Sequence, residues 1–218
     1  MAIVLYYGSG SPYAWKVQLA LEHKALPYER RVLSFSAGDT RKPEFVALNP
    51  RHRVPTIDDD GFVLYESNAI VEYLDEQYPG RGAPLFPGDA RSRALVRRLV
   101  CEVDSYFSPA LDQVTDELFG KKPEERDSAV IAKGRAAVVD EIAMFTRSLR
   151  GPFLAGPLSA ADFALYPLVA FVFRAQEVRM PELDADGMLT PELRAWKARV
   201  ESLPYLASTI PPHWQKKG

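Results

Sequence analysis

The sequence predicts an α/β domain followed by an all-helical domain, and three observations carry that expectation. Over the first 79 residues, strand and helix patterns follow the order βαβ, α, ββ, α. The stretch "YPGRGAPLFPGDA" is rich in Pro and Gly and lacks apolar periodicity, which marks a boundary. Beyond it every periodic segment is helical. The expected division is residues 1–79, a linker over 80–89, and a helical domain over 90–218.

The elements follow in order. "IVLYYG" reads as a short buried strand ended by a Gly/Ser turn. In "SPYAWKVQLALEHKAL", Ala14, Val17, Leu21 and Ala25 stand at helical spacing, and Ser11 before Pro12 is an N-cap and first-turn signature. "PYERRVLSF" is a second strand, and "KPEFVALNP" a short helix closed by Asn49-Pro50. The strands "VPTID" and "FVLYE" are joined by "DDG", a hairpin turn signal. A helix from about 68 to 78 ends at Pro79-Gly80.

In the second half, "ARSRALVRRLVCEVDSYFSPAL" repeats apolar residues at Leu95, Leu99, Val103 and Phe107. "PEERDSAVIAKGRAAVVDEIAMFTRSL" is a long amphipathic helix. "SAADFALYPLVAFVFRA" is almost wholly apolar, the mark of a central buried helix. "TPELRAWKARVESLPYL" is the last helix, with Thr190 and Pro191 at its start.

Composition narrows the function. With 47% hydrophobic and 26% charged residues and a net charge of −2, the chain lacks the basic excess of a nucleic-acid binder. No apolar run reaches membrane-spanning length, and the start lacks a basic leader pattern. One cysteine rules out an internal disulfide, with the cytoplasm the default compartment. The histidines, at 23, 52 and 213, are far apart, and no ligand spacing points to a metal. Cys101 reads as a packed helix residue, Ser159 and Asp162 as a capping box, and the acidic run 58–60 as a solvated turn.

Two short stretches stand out. Pro55 opens the third strand, where spacing alone indicates a trans proline on an edge. A cis bond there would turn the N–H and C=O of Val54 outward, and a peptide could pair with them as an added strand. Glu66-Ser67 stands just before a helix. Free amides at a helix N-terminus hold a carboxylate, and a neighbouring carboxylate holds an ammonium. Together they match the head of an amino acid, while the plainer reading is a capping serine beside a solvated glutamate.

"SPYAWKV", "NPRHRVP" and "YESNAIVEYL", in this order and spacing, resemble the glutathione transferase superfamily. The resemblance covers essentially the whole chain, including "LSAADFALYPLV" and "PELRAWKARVESLP". It implies a thioredoxin-like first domain, an all-α helical-bundle second domain that contributes the electrophile pocket, and a homodimer. It also implies a cis Val54–Pro55 bond, with the Val54 backbone on the cysteinyl part of glutathione. Glu66 and Ser67 would hold the γ-glutamyl end, and Arg53 would face the glycine carboxylate. Many members have glycine where this chain has His52, so the carboxylate contact is shared between His52 and Arg53 as candidates.

Ser11 falls where serine-type members place the hydroxyl that hydrogen-bonds the glutathione sulfur, and Cys is absent there, which speaks against reductase chemistry. Tyr7 is the rival donor, since tyrosine-type members use the end of this strand, though an aromatic packed under the domain interface is the preferred reading for it. Tyr106 and Phe107 lie on the helix that floors the second-substrate pocket in the family, where plain core is the simpler role. The function expected is conjugation of glutathione to small electrophilic apolar compounds, without nucleic acid, membrane or metal. The alternatives are a glutathione-dependent isomerase, peroxidase or dehalogenase, or a non-catalytic interaction protein on the same fold.

Overall fold

A computed structural model of the chain describes residues 3–215. Its contacts divide into two units, Met1–Phe86 with Pro204–Gly218, and Pro87–Leu203. The last segment therefore groups with the first unit, whereas the sequence pattern assigns it to the helical half.

In the first unit, strands β1 (Ile3–Tyr7), β2 (Tyr28–Val32), β3 (Thr56–Asp59) and β4 (Phe62–Tyr65) form one sheet in the order β2-β1-β3-β4. β1 runs parallel to β2 and antiparallel to β3, which pairs antiparallel with β4, so the sheet is mixed. Leu5 stands between Arg30 and Ile57 in register, and both Leu5 and Ile57 are fully buried. The β3–β4 hairpin turns at Asp60 (φ 53°) and Gly61 (φ 93°), the paired positive-φ geometry that matches the strand twist.

Helix α1 (Pro12–His23) links the two parallel strands and buries Ala14, Val17 and Leu21. Ala25 does not continue that stripe. It lies past the helix end at φ 49° and is exposed, while Leu26 N–H reaches the Leu21 carbonyl at 3.1 Å and Ala25 N–H the Glu22 carbonyl at 3.0 Å. These two bonds close the helix and turn position 25 outward. Short helix α2 (Pro43–Val46) follows β2, and α3 (Ser67–Gln77) follows β4.

The second unit is helical: α4 (Ala90–Glu102), α5 (Ser108–Gly120), α6 (Ser128–Ser148), α7 (Ala160–Arg179) and α8 (Pro191–Glu201). A π-helical turn at Val103–Phe107 joins α4 to α5. Pro109 has no N–H for the carbonyl four residues back, and the widened turn precedes it. Phe107 is fully buried, and Tyr106 is exposed. Cys101 is exposed too, contrary to its apolar neighbourhood in sequence. Val96, Leu99, Val100 and Val103 define the buried stripe, and position 101 turns away from it. On α6, Gly134 lets α5 approach: a Cβ there would lie 2.9 Å from Val114 Cγ2.

The start of α7 is the buried capping box. Asp162 Oδ2 accepts from Ser159 N–H (2.9 Å) and hydroxyl (3.1 Å), and Oδ1 accepts from Leu154 N–H (3.0 Å) and Trp196 Nε1 (2.8 Å). It thus ties α7 to the preceding loop and to α8.

Burial pushes the Asp162 carboxyl from 3.8 up to about 6, although its N–H and hydroxyl donors oppose the shift. The folded chain then holds a proton that the unfolded chain has lost between 3.8 and about 6. Folding stability should therefore decline as pH rises through that window and level off above it. Asp162→Asn should abolish this slope. Above the window it should cost about 1–3 kcal/mol in urea unfolding, because an amide NH₂ would then face donors.

Candidate active site

The turn from β1 into α1 contains Gly8, Ser9, Gly10 and Ser11, and closes with Ser11 N–H on the Gly8 carbonyl at 3.0 Å. Ser11 caps α1, its Oγ accepting from Ala14 N–H at 3.3 Å. An oxygen that accepts an amide keeps its own proton to donate, so capping leaves the hydroxyl able to serve a ligand. Ser11 also lines a cleft of about 660 Å³ shared with Tyr13, Phe35 and Thr40, with Arg41, Arg51, His52 and Arg53, and with Val54. Four of the residues singled out from the sequence, Ser11, His52, Arg53 and Val54, therefore meet at one cleft. Tyr7 lines a different space with Ser11 and Pro211, a void of about 10 Å³, room for a single water.

Asn49 holds the loop that carries Arg51, His52, Arg53 and Val54 into the cleft lining. Almost fully buried, its Nδ2 donates to the Arg53 carbonyl (2.8 Å) and Thr56 Oγ1 (3.0 Å), and its Oδ1 accepts from Arg51 N–H (2.9 Å). One amide thereby fixes the loop from 49 to 56. Within it the Val54–Pro55 bond is cis. His52 sits at φ 56°, a left-handed conformation that glycine adopts freely, and its Nδ1 lies 3.2 Å from the Thr40 carbonyl. Arg51, His52 and Arg53 are all exposed.

Glu66 and Ser67 do not line that cleft. They form the N-terminus of α3, where Glu66 holds φ 73° and ψ 109°, an unusual conformation for a residue with a side chain. No side chain caps this helix among the described residues. Ser67 is buried, and its Oγ accepts from Lys16 Nζ at 3.2 Å. Lys16 also donates to Asn68 Oδ1 at 2.7 Å. Since an ammonium only donates, the Ser67 hydroxyl proton points elsewhere.

The acidic run is more than a solvated turn. Asp59 is buried, and its Oδ2 accepts from the hydroxyls of Tyr73 (2.8 Å) and Tyr78 (2.6 Å). Burial and this carboxylate push the Tyr73 hydroxyl up to about 12. Among the described residues, no group of three His, Cys, Asp or Glu is placed to hold a metal, and no helix is long and apolar enough to cross a membrane.

Residues 10–77 match the family model described as "Glutathione S-transferase, N-terminal domain". A probable glutathione S-transferase from Oryza sativa subsp. japonica is 32% identical, over 92% of this chain and 85% of that protein. The chain belongs to the glutathione transferase family. Glutathione S-transferase A from Pleuronectes platessa is 29% identical over 97% of this chain and 92% of its own. Among solved structures, a glutathione S-transferase from the Antarctic clam Laternula elliptica aligns at TM-score 0.83 and 30% identity, covering 100% of this chain and 95% of that one. A theta class glutathione S-transferase from Xanthomonas axonopodis pv. citri, with glutathione bound, aligns at TM-score 0.78 and 29% identity, covering 95% and 96%. The mixed sheet and the helical remainder have the thioredoxin-like plus all-α architecture of these family structures.

For a family member, three residues of this site went unread in the sequence. Arg41 and Arg51 join the basic side of the cleft, and only their density, with Arg53 and His52, pointed to them. Lys16 lies within "SPYAWKV", a stretch that assigns it no role by itself. Its signal was a lysine between Trp15 and Val17 on a helix buried along most of its length. Lys16→Met should leave Ser67 Oγ and Asn68 Oδ1 without their cation, at a cost of about 1–3 kcal/mol in urea unfolding. Lys16→Arg should recover part of it. Equal stability of Lys16→Met and the parent chain would show that the buried contact contributes nothing.

Proposed function

We propose that this family member is an enzyme that conjugates reduced glutathione to small electrophilic, largely apolar compounds. The observation that supports it best is the shared cleft, where the Ser11 hydroxyl at a helix N-terminus opens beside Val54 and the basic set Arg41, Arg51, His52 and Arg53. Glutathione carries two carboxylates, an ammonium and a thiol, and the chain offers a matching group for each. The basic set suits the glycine carboxylate, with Arg53 or His52 as the contact and Arg41 within the same cleft. The uncapped amides of α3 and the Ser67 hydroxyl suit the γ-glutamyl carboxylate, and Glu66 the ammonium. The Val54 backbone pairs with the cysteinyl unit.

The chemistry needs a thiolate. A thiol of pKa about 8.5 is mostly protonated at neutral pH, so the site must favour the anion. In this reading Ser11 donates to the sulfur while the thiol proton passes to solvent. The sulfur lone pair then forms the bond to the electrophilic carbon, and a leaving group departs or the adduct takes up a proton. Residues 1–79 hold glutathione, and the helical residues of the second unit, 90–203, shape the electrophile pocket. The working form is a cytoplasmic homodimer engaged in detoxification, and half-exposed Phe62 on edge strand β4 is apolar surface that a second copy would cover. No metal enters the reaction.

Ser11→Ala should raise the pKa of the bound thiol and lower turnover by roughly one to two decades, since a hydrogen bond to a charged group contributes about 1.5–3 kcal/mol. Thiolate absorbance of the glutathione complex against pH measures this. If Tyr7→Phe raises that pKa and Ser11→Ala does not, Tyr7 is the donor. Calorimetry showing no binding at millimolar glutathione would remove the enzyme reading altogether.

Sedimentation at micromolar concentration should show a dimer. A monomer under those conditions refutes the two-fold assembly.

A further inference from the structure

The segment after α8 returns to the first unit as α9 (Leu206–Thr209) and a short turn at Pro212–Trp214. Its contacts fall on β2 and on the β1–α1 region. Arg30 donates to the Ser208 carbonyl at 3.3 Å, and Trp15 Nε1 to Thr209 Oγ1 at 2.8 Å. The Trp214 ring meets Trp15 edge-on, with centroids 5.5 Å apart. His213 Nδ1 lies 2.7 Å from Ser9 Oγ.

The turn it touches is flexible by composition, because Gly8 and Gly10 alternate with the two serines. Yet rings press on both glycines. At Gly10, which holds φ +87°, a Cβ would lie 2.9 Å from His213 Cε1. At Gly8 the Phe35 ring already occupies the Cβ position. The void left beside the turn is about 10 Å³. A permissive stretch is thus held in one conformation from outside, and Ser11 is the next residue after Gly10.

We propose that His213 is a positioning residue for the thiol chemistry. Through Ser9 it fixes the Gly8–Ser11 turn, and so fixes where the Ser11 hydroxyl sits relative to the bound sulfur. The proposal rests on the reading that Ser11 donates to that sulfur. A hydroxyl misplaced by about 1 Å loses much of its effect on a reaction, although substrate affinity set elsewhere is retained. No covalent step is assigned to His213 itself.

The test uses the full chain with glutathione, reading thiolate absorbance against pH together with kcat and KM. His213→Ala should lower kcat about three- to tenfold and raise the bound thiol's pKa by about half a unit to one unit, the scale of one hydrogen bond. KM for glutathione should change little. Ser9→Ala should reproduce the effect, and the double variant should add nothing further. His213→Asn should restore most of it, because the amide offers a polar atom where Nδ1 stands and does not titrate. If His213→Ala leaves the titration unmoved while Ser11→Ala shifts it, the strap positions nothing and the Ser11 reading stands. If Ser11→Ala itself has no effect on the titration, that reading fails and this proposal with it. Lower melting temperature without a shifted thiol pKa, or no rescue by Asn, would reduce His213 to a packing residue and overturn the proposal.

Discussion

Two buried lysines on one helix organise the first unit. Lys16 and Lys24 lie about two turns apart on and just past α1, and each reaches α3 at the matching separation. Lys16 donates to Ser67 and Asn68 at the start of that helix, and Lys24 to Asp75 near its end, at 3.1 Å. Asp75 also accepts the backbone N–H groups of Leu85 (2.8 Å) and Phe86 (3.2 Å), which ties down the chain as it leaves the unit. Burying an ammonium is costly unless its partners are fixed, so the arrangement permits one relation of α1 to α3 and penalises others. The N-terminal ends of both helices inherit that precision. Ser11 begins α1 and Ser67 begins α3.

Around those helix ends the backbone departs from relaxed geometry. Glu66 and His52 hold positive φ with full side chains. Such positions persist only where surrounding contacts over-determine them, and here those contacts are visible. Asn49 and the Thr40 carbonyl brace the loop of His52, Lys16 braces the helix that Glu66 opens, and the rings of Phe35 and His213 brace the glycine turn. Positive φ with a full side chain also occurs at Ala25, at Asp60 in the hairpin and at Asp184 in the second unit, so it marks turns as well as the cleft and the α3 N-terminus.

The second unit depends on Asp162 much as the first depends on its lysines. A carboxylate with four N–H and O–H partners in the core joins α7, its preceding loop and α8. Both units thus use a buried charge for orientation and apolar area for cohesion. The apolar sequence of α7 accounts for its central place, and Pro167 lies buried within it with no N–H to donate to the carbonyl four residues back.

Much of this was legible in the chain itself. Strand and helix periods, the Asp60-Gly61 turn, the Ser11-Pro12 helix start and the Ser159–Asp162 box are local patterns, and local physics sets them. Sequence order also carried the family, because "SPYAWKV", "NPRHRVP" and "YESNAIVEYL" had to occur together. Four things were decided only by tertiary structure: the exposure of Cys101, the turn-out of Ala25, the burial of Asp59 under two tyrosines, and the reach of Lys16 to Ser67. The last two depend on a neighbour from a distant part of the chain, and a lysine or aspartate reads as solvated until that partner is known; the first two depend on where the helix ends and which of its faces is buried. The return of residues 204–215 to the first unit is of the same kind. Helical periodicity records that a face must be buried, but the surface that buries it is chosen when the chain closes on itself.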